Sequence, residues 1–140
     1  MDNTIFFIIF AFVMTQKEHH IIIGLASNYN QEVNMEAART QLEQLLTTVH
    51  FTSTIWTEPI GTLRQDKYLN QLCKGTTVLG EGLLCEVLKE LEKRIGRTHN
   101  EEGIVAIDLD LLEYDKQRHH LRDWNRKYVK DLISEIWRNS

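Results

Sequence analysis

The chain is 140 residues long, 42% hydrophobic and 26% charged, with seven glycines and one proline. That is the composition of one folded domain and excludes collagen-like, disordered and disulfide-scaffold classes. Sixteen lysines and arginines against twenty acids leave a formal net charge of −4, so the whole molecule lacks the basic field of a nucleic-acid binder.

The run Ile5 to Met14, IFFIIFAFVM, is ten consecutive apolar residues. It is too short to span a bilayer, and it lacks the positive n-region and A-x-A cleavage site of a secretory signal. Residues 1–19 therefore read as an apolar extension outside the fold, consistent with an over-long start ahead of Met14, and no membrane partner is expected. Residues 20–140 read as a single domain, and the protein is expected to be a monomer. Cys73 and Cys85 lie in no CxxC and read as two thiols of a reducing, cytoplasmic compartment. The pairs His19-His20 and His119-His120 are not spaced as helical metal ligands.

HIIIGLAS, from His20, is an apolar run of strand length closed by the turn-forming SNYN, which predicts a buried first strand. Residues 31–48 place Val33, Met35, Ala38, Leu42, Leu45 and Leu46 near helical spacing, with Asn28 or Asn30 as N-cap and Glu32 in the first turn. FTSTIW (51–56) predicts a second strand, and TEPIGTLRQD a loop. A third strand is expected over 68–79 and a second helix over 83–95, with Leu84, Val87, Leu88, Leu91 and Ile95 on one stripe. A fourth strand is expected over 104–112 and a basic helix over 124–137. The order βαββαβ plus a helix is the α+β, ferredoxin-like pattern: an antiparallel four-stranded sheet with two helices on one face.

The segment GIVAIDLDLLEYD carries the sharpest chemical signal. In a strand, Ile107, Leu109 and Leu111 point one way, while Ala106, Asp108, Asp110 and Leu112 point the other. Two carboxylates about 7 Å apart on one face repel each other unless solvated or neutralised. A hard cation such as Mg²⁺ neutralises them and bridges to phosphate oxygens; a frayed, solvated strand end is the alternative. Residues 115–140 add seven Lys or Arg against four acids, a surface suited either to an anion or to a solvated helix.

Ala26-Ser27-Asn28 after the first strand, Thr57-Glu58-Pro59-Ile60-Gly61 after the second and Tyr68-Leu69-Asn70 opening the third set up a pattern. Glu92 with Gly96-Arg97 ends the second helix, Ile107-Asp108-Leu109-Asp110 lies on the fourth strand, and His120, Asn125-Arg126 and Tyr128 follow. In this order and spacing, over about residues 20–137, the chain resembles the 6-hydroxymethyl-7,8-dihydropterin pyrophosphokinase family. The resemblance implies Mg²⁺-dependent transfer of pyrophosphate from ATP to a pterin alcohol in folate biosynthesis, with AMP leaving. It implies that Asp108 and Asp110 hold two Mg²⁺ ions, with Arg97 catalytic. It implies a pterin slot of Thr57, Ile60, Tyr68, Asn70 and Tyr128, and ATP contacts from Glu92, His120 and Arg126.

The chain departs from that pattern before the paired aspartates. Ile104 and Val105 stand where the family carries Pro-Arg, Glu101 and Glu102 add negative charge, no tryptophan is present, and Glu58 replaces a proline. A lost phosphate-binding arginine removes about 1.5 to 3 kcal/mol. Arg94, Arg122 and Lys127 are the candidate replacements, and a catalytically silent pterin- or nucleotide-binding protein is the alternative reading.

Overall fold

The apolar run that follows the N-terminal extension becomes the middle of the sheet. In the computed structural model, which describes residues 2–61, 64–96 and 102–138, this run is β1 (His19–Ser27). It pairs antiparallel with β4 (Tyr68–Thr77) on one side and with β5 (Asp108–Tyr114) on the other. The remaining elements are α1 (Asn3–Thr15), α2 (Gln31–Leu45), β2 (Thr48–Phe51), β3 (Ile55–Thr57), α3 (Glu81–Gly96), β6 (Gln117–Arg118), α4 (Leu121–Trp124) and α5 (Lys127–Arg138). The sheet order is β2-β4-β1-β5-β6, with β3 also on β4. Taking β2 and β3 as one interrupted strand recovers the expected ferredoxin-like βαββαβ order, in a sheet of six strands.

Both faces of β1 are covered, which is why its sequence is almost continuously apolar. Ile21, Ile23 and Leu25 point toward α2 and α3, into a core with Met35, Ala38 and Leu42 of α2, Leu84, Leu88 and Leu91 of α3, and Ile107, Leu109 and Leu111. Ile22 points the other way, with Leu72 and Leu112, against Trp124 and the Val129, Leu132 and Ile136 stripe of α5. The three-and-four spacing of that stripe docks α5 on the sheet. Truncating a residue as buried as Leu132 to alanine would cost about 2 to 5 kcal/mol.

Several boundaries differ from the sequence expectation: the first helix ends at Leu45 rather than 48, the second strand starts at Thr48 rather than Phe51, and the third strand stops at Thr77 rather than 79. The second strand breaks because the Thr52 hydroxyl, rather than a carbonyl, accepts the Leu72 N–H at 3.0 Å. Next to it, the Ser53 N–H and hydroxyl both donate to the Glu135 carboxylate of α5, at 2.8 and 2.7 Å. The fourth strand begins at Asp108, not 104, because the Val105 N–H donates to the Asn28 side chain instead of a ladder carbonyl. It ends at Tyr114, where Asp115 and Lys116, both at positive φ (47° and 74°), form the hairpin into β6. The C-terminal helix is two helices, interrupted at Asn125-Arg126. Asn30 does occupy the N-cap of α2, but in the left-handed region and without a capping side-chain bond.

The N-terminal run forms α1, whose Ile5, Phe6, Phe7, Ile8, Ile9, Phe10 and Phe12 are all exposed. No described helix is long and apolar enough to cross a membrane.

Candidate functional site

The expected alternation of β5 holds: Ile107, Leu109 and Leu111 enter the helix-side core, whereas Asp108, Asp110 and Leu112 face the side of the sheet that carries α5. On that side lies a cleft of about 230 Å³. Gly24 of β1 is opposite Asp110 in the ladder. A methyl group there would come within 3.3 Å of the Leu112 side chain, so the glycine keeps the cleft floor open.

Seven of the sequence-predicted residues line this one cleft: Asp108, Asp110, Ile60, Tyr68, Asn70, Arg126 and Tyr128. Asn70 is nearly inaccessible, and its amide nitrogen donates to Ile55 O at 3.1 Å and to Thr57 Oγ1 at 2.9 Å. These bonds fix the amide orientation and leave Oδ1 as an acceptor without a partner among the described residues. Thr57 therefore sits behind Asn70 as its support, and also lines an adjoining hollow with Ile60 and Tyr128. Ile60 is 75% exposed, an apolar side chain at the mouth. The Arg126 guanidinium lies 4.7 Å from the Tyr128 ring centroid, a cation–π contact that joins the aromatic and the cationic parts of the site.

The acids are crowded. Burial first, and then the neighbouring Asp108 carboxylate, push Asp110 up to about 6, against the pull of His120. Glu92, on α3, is not part of the cleft lining; it reaches the Asp108 carboxyl from beside β5. Burial chiefly raises its pKa, Lys89 opposes this, and Asp108 adds to it. The His120 Nε2 is 4.0 Å from Asp110 Oδ1. Asp110, His120 and Asp123 bring one ligand atom each to within 4.8 Å of one another. Asp108, Asp110 and Asp123 line the cleft while His120 stands beside it, and carboxylates with a neighbouring imidazole are the donor chemistry of a divalent cation site.

Arg97 and residues 98–101 of the loop lie outside the described residues. Among the candidate replacement cations, Arg94 pairs with Glu90 at 3.7 Å and Lys127 with Asp131 at 2.8 Å, all on the surface. Besides Arg126 of the cleft lining, Lys89 approaches the acids among the described residues, and sequence reading missed it. Its Nζ is 3.0 Å from Glu92 Oε1, and that bond, with Asp108 and Asp110 nearby, holds its pKa high. Asp123 was also missed: it is one of four acids in the mixed-charge stretch 115–140, and no spacing in the sequence marks it. Asn28 is a structural tie, not a cap: fully buried, it accepts from Val105 N at 2.7 Å and donates to Gly103 O at 2.8 Å.

Comparison with known proteins finds relatives of one kind. The chain is 30% identical over 132 residues to a folate synthesis bifunctional protein of Arabidopsis thaliana, covering 86% of this chain and 27% of that protein. It is 32% identical over 123 residues to a folate synthesis bifunctional protein, mitochondrial, of the same plant, covering 80% and 22%. The pea (Pisum sativum) counterpart is 30% identical over 135 residues, covering 89% and 26%. The chain thus spans about a quarter of the length of these relatives. The profile of the 7,8-dihydro-6-hydroxymethylpterin-pyrophosphokinase family matches residues 22–138, nearly everything from β1 to the end of α5, and the chain belongs to that family.

Proposed function

We propose that the protein transfers pyrophosphate from ATP to 6-hydroxymethyl-7,8-dihydropterin, a step of folate biosynthesis, with AMP leaving and Mg²⁺ required. The observation that carries this reading is that Asp108 and Asp110 open into the same cleft as Tyr68, Asn70 and Tyr128. A flat heteroaromatic needs a stacking face and a few fixed polar groups. Tyr128 supplies the face, Asn70 Oδ1 an acceptor for ring N–H groups, and Ile60 an apolar edge.

The acids fit a divalent cation, because burial and the neighbouring Asp108 carboxylate raise Asp110 in spite of His120 and Lys89 nearby. Asp108 and Asp110 would hold it, and when bound, Mg²⁺ neutralises charge on the phosphate oxygens. The chain's own work is positioning. Arg126, fixed over Tyr128, sits where the ring and the phosphates meet, and its fork suits two phosphate oxygens at once. His120 lies beside Asp110 as a further donor to phosphate. The hydroxymethyl oxygen attacks the β-phosphorus and releases its proton to solvent, the bond from that phosphorus to the α-bridging oxygen breaks, and the electron pair leaves with AMP. A loose transition state of this kind draws most of its rate from placement and charge neutralisation.

The test is AMP release from ATP, Mg²⁺ and the pterin alcohol. Turnover that falls by at least about a hundredfold in Asp108→Asn, comparable to losing a major charge-stabilising group, supports the enzyme. Tight pterin binding by the wild type without AMP supports instead a binding protein without catalysis. One feature favours that second reading: the aliphatic Val105, held by its backbone to Asn28, stands where the resemblance calls for an arginine.

A further inference from the structure

We propose that Asp110, His120 and Asp123 form a mixed nitrogen–oxygen site that takes a first-row transition dication in preference to Mg²⁺. The proposal rests on the pyrophosphokinase reading for its purpose, since the ion would face the same cleft as the phosphates, but not for its evidence.

Three donors from three positions converge. Asp110 comes from β5, His120 from the residue before α4, and Asp123 from within α4, with their ligand atoms within 4.8 Å of each other. Around an ion with bonds of about 2.1 Å, neighbouring donors stand about 3.0 Å apart and opposite ones about 4.2 Å. The His120 to Asp110 separation of 4.0 Å already falls within that span, and small side-chain rotations close the rest.

The frame that holds these donors is rigid. The Trp124 indole N–H donates to His119 O at 3.0 Å and reaches Leu112 O at 3.3 Å, while His119 N donates to the same Leu112 carbonyl at 2.9 Å. The turn bearing His120 and Asp123 is thereby fixed to β5 two residues from Asp110. Asp123 N closes the turn on His120 O at 2.8 Å. No ion pair to the Asp123 carboxylate occurs among the described residues, so this acid is left to the cleft it lines.

The donor set decides the metal. Mg²⁺ prefers oxygen ligands and parts with its waters reluctantly, so an imidazole adds little to its binding. Transition dications gain from an imidazole nitrogen. Asp108 with Asp110 makes an all-oxygen pair for Mg²⁺; Asp110 with His120 and Asp123 makes a different kind of position.

The experiment uses the full chain without ATP or pterin. Mn²⁺ binding is followed by the loss of its free-ion paramagnetic resonance signal, Mg²⁺ binding by calorimetry, and the ligand atoms by the electron spin-echo modulation of bound Mn²⁺. Mn²⁺ bound at least about tenfold more tightly than Mg²⁺, with nitrogen-14 coupling from one imidazole, is the expected result. His120→Gln removes the coupling, and Asp123→Asn weakens Mn²⁺ by at least about tenfold while changing Mg²⁺ less than about twofold. Equal affinities, or Mn²⁺ bound without nitrogen coupling in the wild type, overturn the proposal, and the wild-type spectrum decides even if a variant fails to fold. Nitrogen-coupled Mn²⁺ in a protein that makes no AMP upholds this site and removes only the pyrophosphokinase reading.

Discussion

Asp110 is the residue at which burial, charge and ligand binding meet. Its carboxyl is raised from its ordinary 3.8 to about 6, so the folded protein holds a proton there that the unfolded chain has released. Stability from this group is therefore present at acid pH and declines as pH rises toward and through about 6, opposite to an ordinary ion-paired aspartate. A dication must displace that proton. Its apparent affinity, measured by calorimetry, should be level above pH 7 and fall by up to about tenfold per pH unit below 6; an affinity flat from pH 7 to 5 would contradict the crowding of Asp108 and Asp110. Val105 carries the second prediction at this scale. Its backbone is tied to Asn28 while its side chain is only half-buried, so a longer cationic side chain fits without disturbing the core. Val105→Arg should raise AMP production by about tenfold or more, the worth of one charge-assisted phosphate contact. An unchanged or lower rate would show that this loop is aligned wrongly with the family.

At the scale of elements, the approach to β5 is built by a side chain. Asn28, at the end of β1, satisfies the Val105 N–H and the Gly103 carbonyl, doing what a ladder partner would do. Asn28→Ala leaves the half-buried Val105 N–H and the exposed Gly103 carbonyl without their partner, and should cost about 1 to 2 kcal/mol in urea unfolding. A loss below about 0.5 kcal/mol would mean that water replaces the amide freely. The same tie explains what the sequence left illegible. β1, β4, α2 and α3 were readable because their apolar spacing is set by a core they face along their whole length. The break after Phe51 was not, because it depends on Thr52 bonding Leu72 and Ser53 bonding Glu135, 82 residues away. Asp108 and Asp110 were legible as a pair because two acids in a strand conflict with local preference. Asp123 was not, since one more acid in a mixed-charge helix conflicts with nothing until the fold sets it beside Asp110.

The whole molecule divides at His19. From there to Arg138 the described residues build one sheet covered on both faces, and even the first strand residues are pinned: His20 N donates to Asp115 Oδ1 at 2.9 Å, and the His19 ring stacks on Tyr114. Before it, among the described side chains of α1, seven large apolar ones are exposed, six of them consecutive in sequence, and exposed apolar surface of this kind favours association. The chain is expected from its sequence to be a monomer; α1 is the element that would instead draw copies together. Removing residues 1–18 should leave the thermal midpoint within about 4 °C, the shift of roughly one kcal/mol in a domain of this size. It should also convert a mixture of associated species to monomer in sedimentation velocity. AMP formation should be unaffected, because the cleft takes nothing from α1. If the shortened chain unfolds, α1 is covering core that these contacts do not reveal; if it still associates, the sticky surface lies elsewhere, with exposed Trp137 and Leu121 the next to substitute.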